Sequence, residues 1–117
     1  MIIICTGVVG SGKTTYAQNY IKDILDTNKN AKINIINGFE QEYNMFKDNI
    51  VFCKSIEDIS SNYDLIIFEN SNLSETDLAK IETLSKNSTI ICISQYISDA
   101  QRQKFIEMGA NIHHCVR

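Results

Sequence analysis

Ile2-Ile3-Ile4-Cys5-Thr6-Gly7-Val8-Val9-Gly10-Ser11-Gly12-Lys13-Thr14-Thr15 runs from an apolar stretch through a glycine loop into an amphipathic segment. Gly7 through Thr14 is a complete G-x-x-x-x-G-K-T. The order predicts strand, loop and helix start as one unit, the context in which this motif cradles nucleotide phosphates. Glycines let the backbone wrap with its N–H groups turned inward, and a helix beginning near Lys13 adds the positive end of its dipole. Gly7, Gly10, Ser11, Gly12, Lys13, Thr14 and Thr15 are therefore the expected phosphate-binding residues. Lys13 would reach the β- and γ-phosphates, and the Thr14 hydroxyl would ligate Mg²⁺. The expected ligand is a nucleoside triphosphate with its Mg²⁺.

Beyond this unit, strand-like and helix-like segments alternate. The first strand is Ile2–Thr6. The helix after the loop is expected from about Lys13 to Leu25, with Ala17, Tyr20, Ile21, Ile24 and Leu25 on one face. Asp26–Asn30 is a polar turn. Ile33–Asn37 reads as a strand ending at Gly38, then Glu40–Lys47 as a short helical stretch and Ile50–Cys53 as a short strand. Ser55 can cap a brief helical segment reaching Ile59. Asp64–Glu69 is an unbroken apolar run closed by an acid, the pattern of a strand covered on both faces. Ser74 with Asp77, and Ser98 with Gln101, are capping-box patterns. They open helices over about Glu75–Ser85 and from Ser98 to Gly109, a C′ glycine. Thr89–Ser94 and Asn111–Val116 are the remaining strands. This alternation predicts an α/β fold: a three-layer sandwich around a central, mainly parallel sheet, in a single domain spanning residues 1–117. Ligands of such sheets bind beyond the carboxyl ends of the strands, where the glycine loop lies.

The bulk composition narrows the partners. A formal net charge of −3 gives no global attraction to nucleic acid or anionic lipid, so any DNA contact would need a local patch. No apolar run approaches the length of a membrane span, and residue 2 already begins a strand with no basic leader before it. The expectation is a cytoplasmic protein with no membrane contact. Cys5, Cys53, Cys92 and Cys115 each lie in or at the end of a strand with no C-x-x-C pair, the pattern of buried reduced thiols. His113 and His114 are adjacent on a strand and so point to opposite faces, which disfavours joint metal binding. Mg²⁺ carried in with the nucleotide is the one metal expected.

A phosphate loop alone does not hydrolyse anything; Mg²⁺ needs an acidic partner and water needs a base or an orienting group. Glu69, ending a buried strand, is the natural acid for Mg²⁺ or water. Asn70 follows it. An amide cannot take a proton at neutral pH but can orient water. Three options stay open: slow turnover, Glu69 acting as the base with Phe68 in the preceding position, or another acid such as Glu75 reaching in. Gln95 follows the strand Thr89–Ser94 and can sense the γ-phosphate and hold the attacking water. The candidate catalytic set is Lys13, Glu69, Asn70 and Gln95, with Thr14 and Glu69 at the metal. Arg102 and Arg117 are the only arginines and could reach a neighbouring subunit's γ-phosphate.

Taken together, the GSGKT loop, Tyr63-Asp64-Leu65-Ile66-Ile67-Phe68-Glu69-Asn70, and the stretch from Ser88 to Gln95 followed by Ser98-Asp99-Ala100-Gln101-Arg102 resemble the additional-strand (ASCE) group of P-loop ATPases. Within it the chain is most similar to FtsK–HerA-like ATPases, including viral DNA-packaging and zonula occludens toxin-like phage-assembly ATPases. Ser94-Gln95 matches their strand tip, and Arg102 and Arg117 match their late arginines. The resemblance implies ATP as the nucleotide and a sheet in which Thr89–Ser94 lies between the loop strand and the Glu69 strand. It also implies a homo-oligomeric ring that couples ATP hydrolysis to double-stranded DNA or to a phage or virion assembly protein, in host cytoplasm or virion. Asn70 stands where that family has a catalytic glutamate, and the chain is shorter than such motors.

Two other classes compete. A small nucleoside or nucleotide kinase shares the loop but needs an arginine-bearing lid, and both arginines here come late. A nucleotide-gated binding module with little turnover would suit Asn70. A GTPase would need a guanine-reading Asn/Thr-Lys-x-Asp; the sequence has none, with Ser94-Gln95-Tyr96-Ile97 at that place.

Overall fold

Isoleucine-rich runs form strands here because β-branched side chains suit a pleated surface covered on both faces. The computed structural model describes residues 1–7, 10–59, 62–69 and 73–115. Its strands are β1 (Ile2–Thr6), β2 (Ile33–Ile36), β3 (Ile50–Cys53), β4 (Leu65–Glu69), β5 (Thr89–Ser94) and β6 (Asn111–His114). Its α-helices are α1 (Lys13–Thr27), α2 (Glu75–Leu84) and α3 (Asp99–Glu107). All six strands lie in one sheet in the order β3-β2-β4-β5-β1-β6, and every pairing is parallel. β5 sits between β1 and β4, the insertion that the family resemblance implied.

The alternation of side chains splits the core in two. On one face Ala17 and Ile21 of α1 pack over Ile3, Cys5, Ile35, Ile67 and Ile91. On the other, Leu78 and Ile81 of α2 and Phe105 of α3 pack over Ile4, Ile66 and Ile90. This is the three-layer α/β sandwich predicted above. Ile35, Ile67 and Ile91 lie side by side across β2, β4 and β5, each fully buried. Ile67→Ala is expected to cost about 2–5 kcal/mol of stability, read as a lowered urea midpoint at unchanged slope.

Local signals set several element ends. Ser74 and Ser98 form their capping boxes with Asp77 and Gln101. Gly109, at φ 77°, follows α3 in the left-handed conformation that a C′ glycine supplies. The Ser55 hydroxyl accepts from the Glu57 amide at the start of a 3₁₀ turn, Ile56–Asp58.

Several boundaries differ from expectation. α1 runs on to Thr27, into the expected polar turn, and the Asn28 amide donates to the Ile24 carbonyl at its end. β2 stops at Ile36 because Asn37 turns left-handed, at φ 60°, a conformation asparagine tolerates. The helical stretch expected over Glu40–Lys47 is 3₁₀, broken at Phe46, and runs on to Asn49. β4 begins at Leu65, and Asp64 before it accepts the Lys32 amide through Oδ2. β6 ends at His114, and the Val116 expected in it lies outside the described residues. Cys53 is only half-buried, unlike Cys5, Cys92 and Cys115. Burial pushes the Cys92 thiol up to about 12. Among the described residues no helix is long and apolar enough to cross a membrane.

Candidate functional site at the carboxyl edge of the sheet

Parallel strands bring their carboxyl ends to one edge, and register aligns them. Thr6 pairs with Ser94, and Glu69 pairs with Ile93. The loop after β1, the tip of β5, the end of β4 and the turn after β2 therefore meet around one cleft of about 970 Å³. Gly10, Gly12, Lys13, Thr14 and Thr15 line its loop side. Glu69 and Gln95 line it from β4 and β5. Seven of the predicted site residues are thus together.

The remaining predicted residues lie elsewhere. Gly7 and Ser11 are buried within the loop's base rather than in the cleft wall. Asn70, Arg117 and the loop residues Val8 and Val9 lie outside the described residues. Arg102 is exposed on α3 and is not part of the cleft wall. Glu75, offered as an alternative acid, does not reach in: it is 89% exposed and its Oε1 lies 2.8 Å from Lys104 Nζ. That ammonium holds the Glu75 carboxyl below its ordinary range. Phe68 packs into the core on the α2–α3 side, whereas Glu69 meets Tyr43 of the α1 side. The imidazoles do diverge: His113 stacks on Tyr16 at 4.5 Å between centroids, and His114 Nδ1 lies 3.2 Å from Thr6 Oγ1.

The loop geometry fits a bound phosphate chain. Gly7, Gly10 and Gly12 have φ of 148°, 78° and 95°, where a β-carbon would be strained. A β-carbon on Gly7 would also come within 2.5 Å of Ser11 Oγ and 2.6 Å of the Cys115 carbonyl. α1 begins at Gly12 with no side-chain cap and no acid in its first turn, which leaves its amides for an anion. Ser11 Oγ is buried without a hydrogen-bond partner among the described residues. Lys13 Nζ donates to the Gly7 carbonyl at 2.6 Å, folding the ammonium over the loop.

Glu69 is held by residues the sequence did not single out. The fully buried Tyr43 donates its hydroxyl to Glu69 Oε1 at 2.7 Å. Burial pushes the Glu69 carboxyl above its ordinary range, the Tyr43 bond opposes this, and the charge of Glu42 adds to it. Burial and then the neighbouring Glu69 charge push the Tyr43 phenol far up, so it stays a donor. Asn37 Nδ2 donates to the Glu69 carbonyl at 3.4 Å, tying the end of β2 to the end of β4. At the tip of β5, the Ser94 hydroxyl donates to the Tyr96 carbonyl at 2.7 Å and so shapes the turn that presents Gln95. The only prior hint of Tyr43 is an aromatic in the polar run Glu40-Gln41-Glu42-Tyr43-Asn44.

With this geometry in place, comparison with known proteins is informative about the fold. No protein-family model matches the chain, and no curated protein matches it by sequence. Its structure is similar to the flagellar accessory protein FlaH of Methanocaldococcus jannaschii, with a TM-score of 0.67 at 13% identity. That match covers 92% of this chain and 67% of FlaH. The fold is that of the P-loop NTPases. The ATPase DotB of Legionella pneumophila is also similar, with a TM-score of 0.58 and 13% identity over 92% of this chain. The chain spans only 34% of DotB. Neither neighbour belongs to the FtsK–HerA-like group by its description, so the resemblance reaches the P-loop fold and no finer group.

Proposed function

We propose that this chain is an ATP-binding, Mg²⁺-dependent P-loop ATPase domain. The observation that carries the reading is the placement of β5 between β1 and β4, which sets Gln95 and Glu69 around the cleft that holds Lys13 and Thr14. In this reading the loop amides and Lys13 bind the phosphates of ATP, and the Thr14 hydroxyl and Glu69 hold Mg²⁺. Mg²⁺, when bound, neutralises charge that develops on the phosphate oxygens. Gln95 senses the γ-phosphate and orients the attacking water; where Glu69 serves the water instead of Mg²⁺, it accepts the proton.

The finer proposal is a minimal motor subunit of the DNA-packaging, translocation or phage-assembly type, self-associating in the cytoplasm, with Arg102 or Arg117 offered to a neighbour's nucleotide. The test is steady-state phosphate release from Mg²⁺-ATP with and without double-stranded DNA, beside a Lys13→Ala control. Lys13-dependent release supports the ATPase, and acceleration by DNA supports the motor. Binding without release would replace the ATPase by a nucleotide-gated module, and phosphate transfer to an added nucleoside would replace it by a kinase. Gln95→Ala is expected to lower turnover about tenfold or more while ATP affinity stays within about threefold. An equal loss in both, read by parallel turnover and binding assays, would contradict the sensor role.

A further inference from the structure

We propose that Tyr43 is the positioning residue of the site: it holds Oε1 of Glu69 and so fixes the carboxylate with Oε2 against the cleft wall. The inference rests on the ATPase reading for its functional consequence, but its geometry stands apart from it. Tyr43 lies 26 residues before Glu69, is fully buried, and donates to Oε1 at 2.7 Å. The other oxygen, Oε2, lies against Gly38 in the cleft wall, where a β-carbon would approach it to 2.6 Å. A side chain at residue 38 would therefore crowd this oxygen and, equally, Ile35 Cγ2.

The clamp is also linked to the phosphate loop. Gln18 Nε2 of α1 donates to the Glu42 carbonyl at 2.6 Å, one residue before Tyr43. α1 carries Lys13 and Thr14 at its first turn, so this bond ties the helix that follows the loop to the segment that orients the acid. A carboxylate held at one oxygen by a fixed donor is set in one orientation toward a metal-bound water or an ion. Fixing that orientation in advance is what positioning contributes to a reaction of this kind.

Tyr43→Phe keeps the ring and removes only the hydroxyl. In steady-state phosphate release it is expected to lower kcat about tenfold with KM for Mg²⁺-ATP within about threefold, whereas a purely structural role would leave kcat per folded molecule unchanged. The second measurement needs no nucleotide: a double-mutant cycle of Tyr43→Phe and Glu69→Ala in urea unfolding of the free protein. Non-additive unfolding constants are expected, and additive ones would overturn the clamp. If Tyr43→Phe does not fold, 3-fluorotyrosine at residue 43 replaces it. Its ¹⁹F resonance is expected to move on Glu69→Gln, and an unmoved resonance would overturn the proposal. Failure of the ATPase reading would appear as absent turnover in the unaltered protein, with the cycle and the resonance still deciding the clamp.

Discussion

Lys13→Ala is expected to abolish the stabilisation that Mg²⁺-ATP confers on the protein. Lys13 Nζ already rests over the loop on the Gly7 carbonyl, at 2.6 Å, so it stands where a phosphate chain would meet it. Charge-assisted bonds from such an ammonium contribute about 1.5–3 kcal/mol each. Losing two of them weakens binding by about a hundredfold or more. A ligand at about a hundred times its dissociation constant stabilises the folded state by about 2.7 kcal/mol. In a domain of this size that is a rise in Tm of about 10 °C. The altered protein should melt at one temperature with or without nucleotide. The Tm without nucleotide separates loss of binding from loss of fold. An undiminished shift would place the nucleotide elsewhere.

Glu69→Gln should separate chemistry from binding. Glu69 is 8% exposed, with Tyr43 at one oxygen and Gly38 beside the other. Replacing it should lower turnover about a hundredfold or more while ATP affinity stays within about threefold, measured by phosphate release and by equilibrium binding. The Mg²⁺ dependence divides its two roles: a metal ligand's loss raises the Mg²⁺ needed for half-maximal turnover, whereas a base's loss lowers the maximum alone. The same change has a signature without nucleotide. Burial holds the native carboxyl above its ordinary value of 4.5, so the folded state keeps its proton to higher pH than the unfolded state. The stability that Glu69 allows is therefore fully present below pH 4.5 and is lost as pH rises through the elevated native value. Glutamine carries no charge to bury. Glu69→Gln should raise the Tm at pH 7, and the pH-dependent part of that gain should vanish below pH 4.5.

Much of the architecture was legible because its causes are local. The capping boxes at Ser74 and Ser98 need only side chains three residues apart, and both form. Leu65–Phe68 is apolar at every position because both faces of β4 are covered, and that pattern is readable without knowing what covers them. The place of β5 between β1 and β4 is different: strand order is a long-range property, and it was reached through family resemblance rather than through periodicity.

The missed features share a physical reason. Glu40–Lys47 reads as a helical stretch, but the burial of Tyr43 against Glu69 and the Gln18 bond to Glu42 are not readable from it. Neither partner is near in sequence, so no local pattern announces them. Asn37 likewise extends a strand-like run, and its left-handed turn coincides with a side-chain bond to the Glu69 carbonyl. Glu75 fits an acid near the strand end, yet α2 carries it to Lys104 on α3. In the candidate site, the glycine-loop residues were legible as a motif, and those that hold the Glu69 carboxylate were not.

The most direct test of the central claim is equilibrium dialysis of labelled ATP, with Mg²⁺, against the unaltered protein and against Lys13→Ala. Saturation at one nucleotide per chain, displaced by unlabelled ADP and lost in Lys13→Ala, is the predicted result. Saturable binding that ignores Lys13, or no binding at all, would contradict the assignment of this cleft as a nucleotide site.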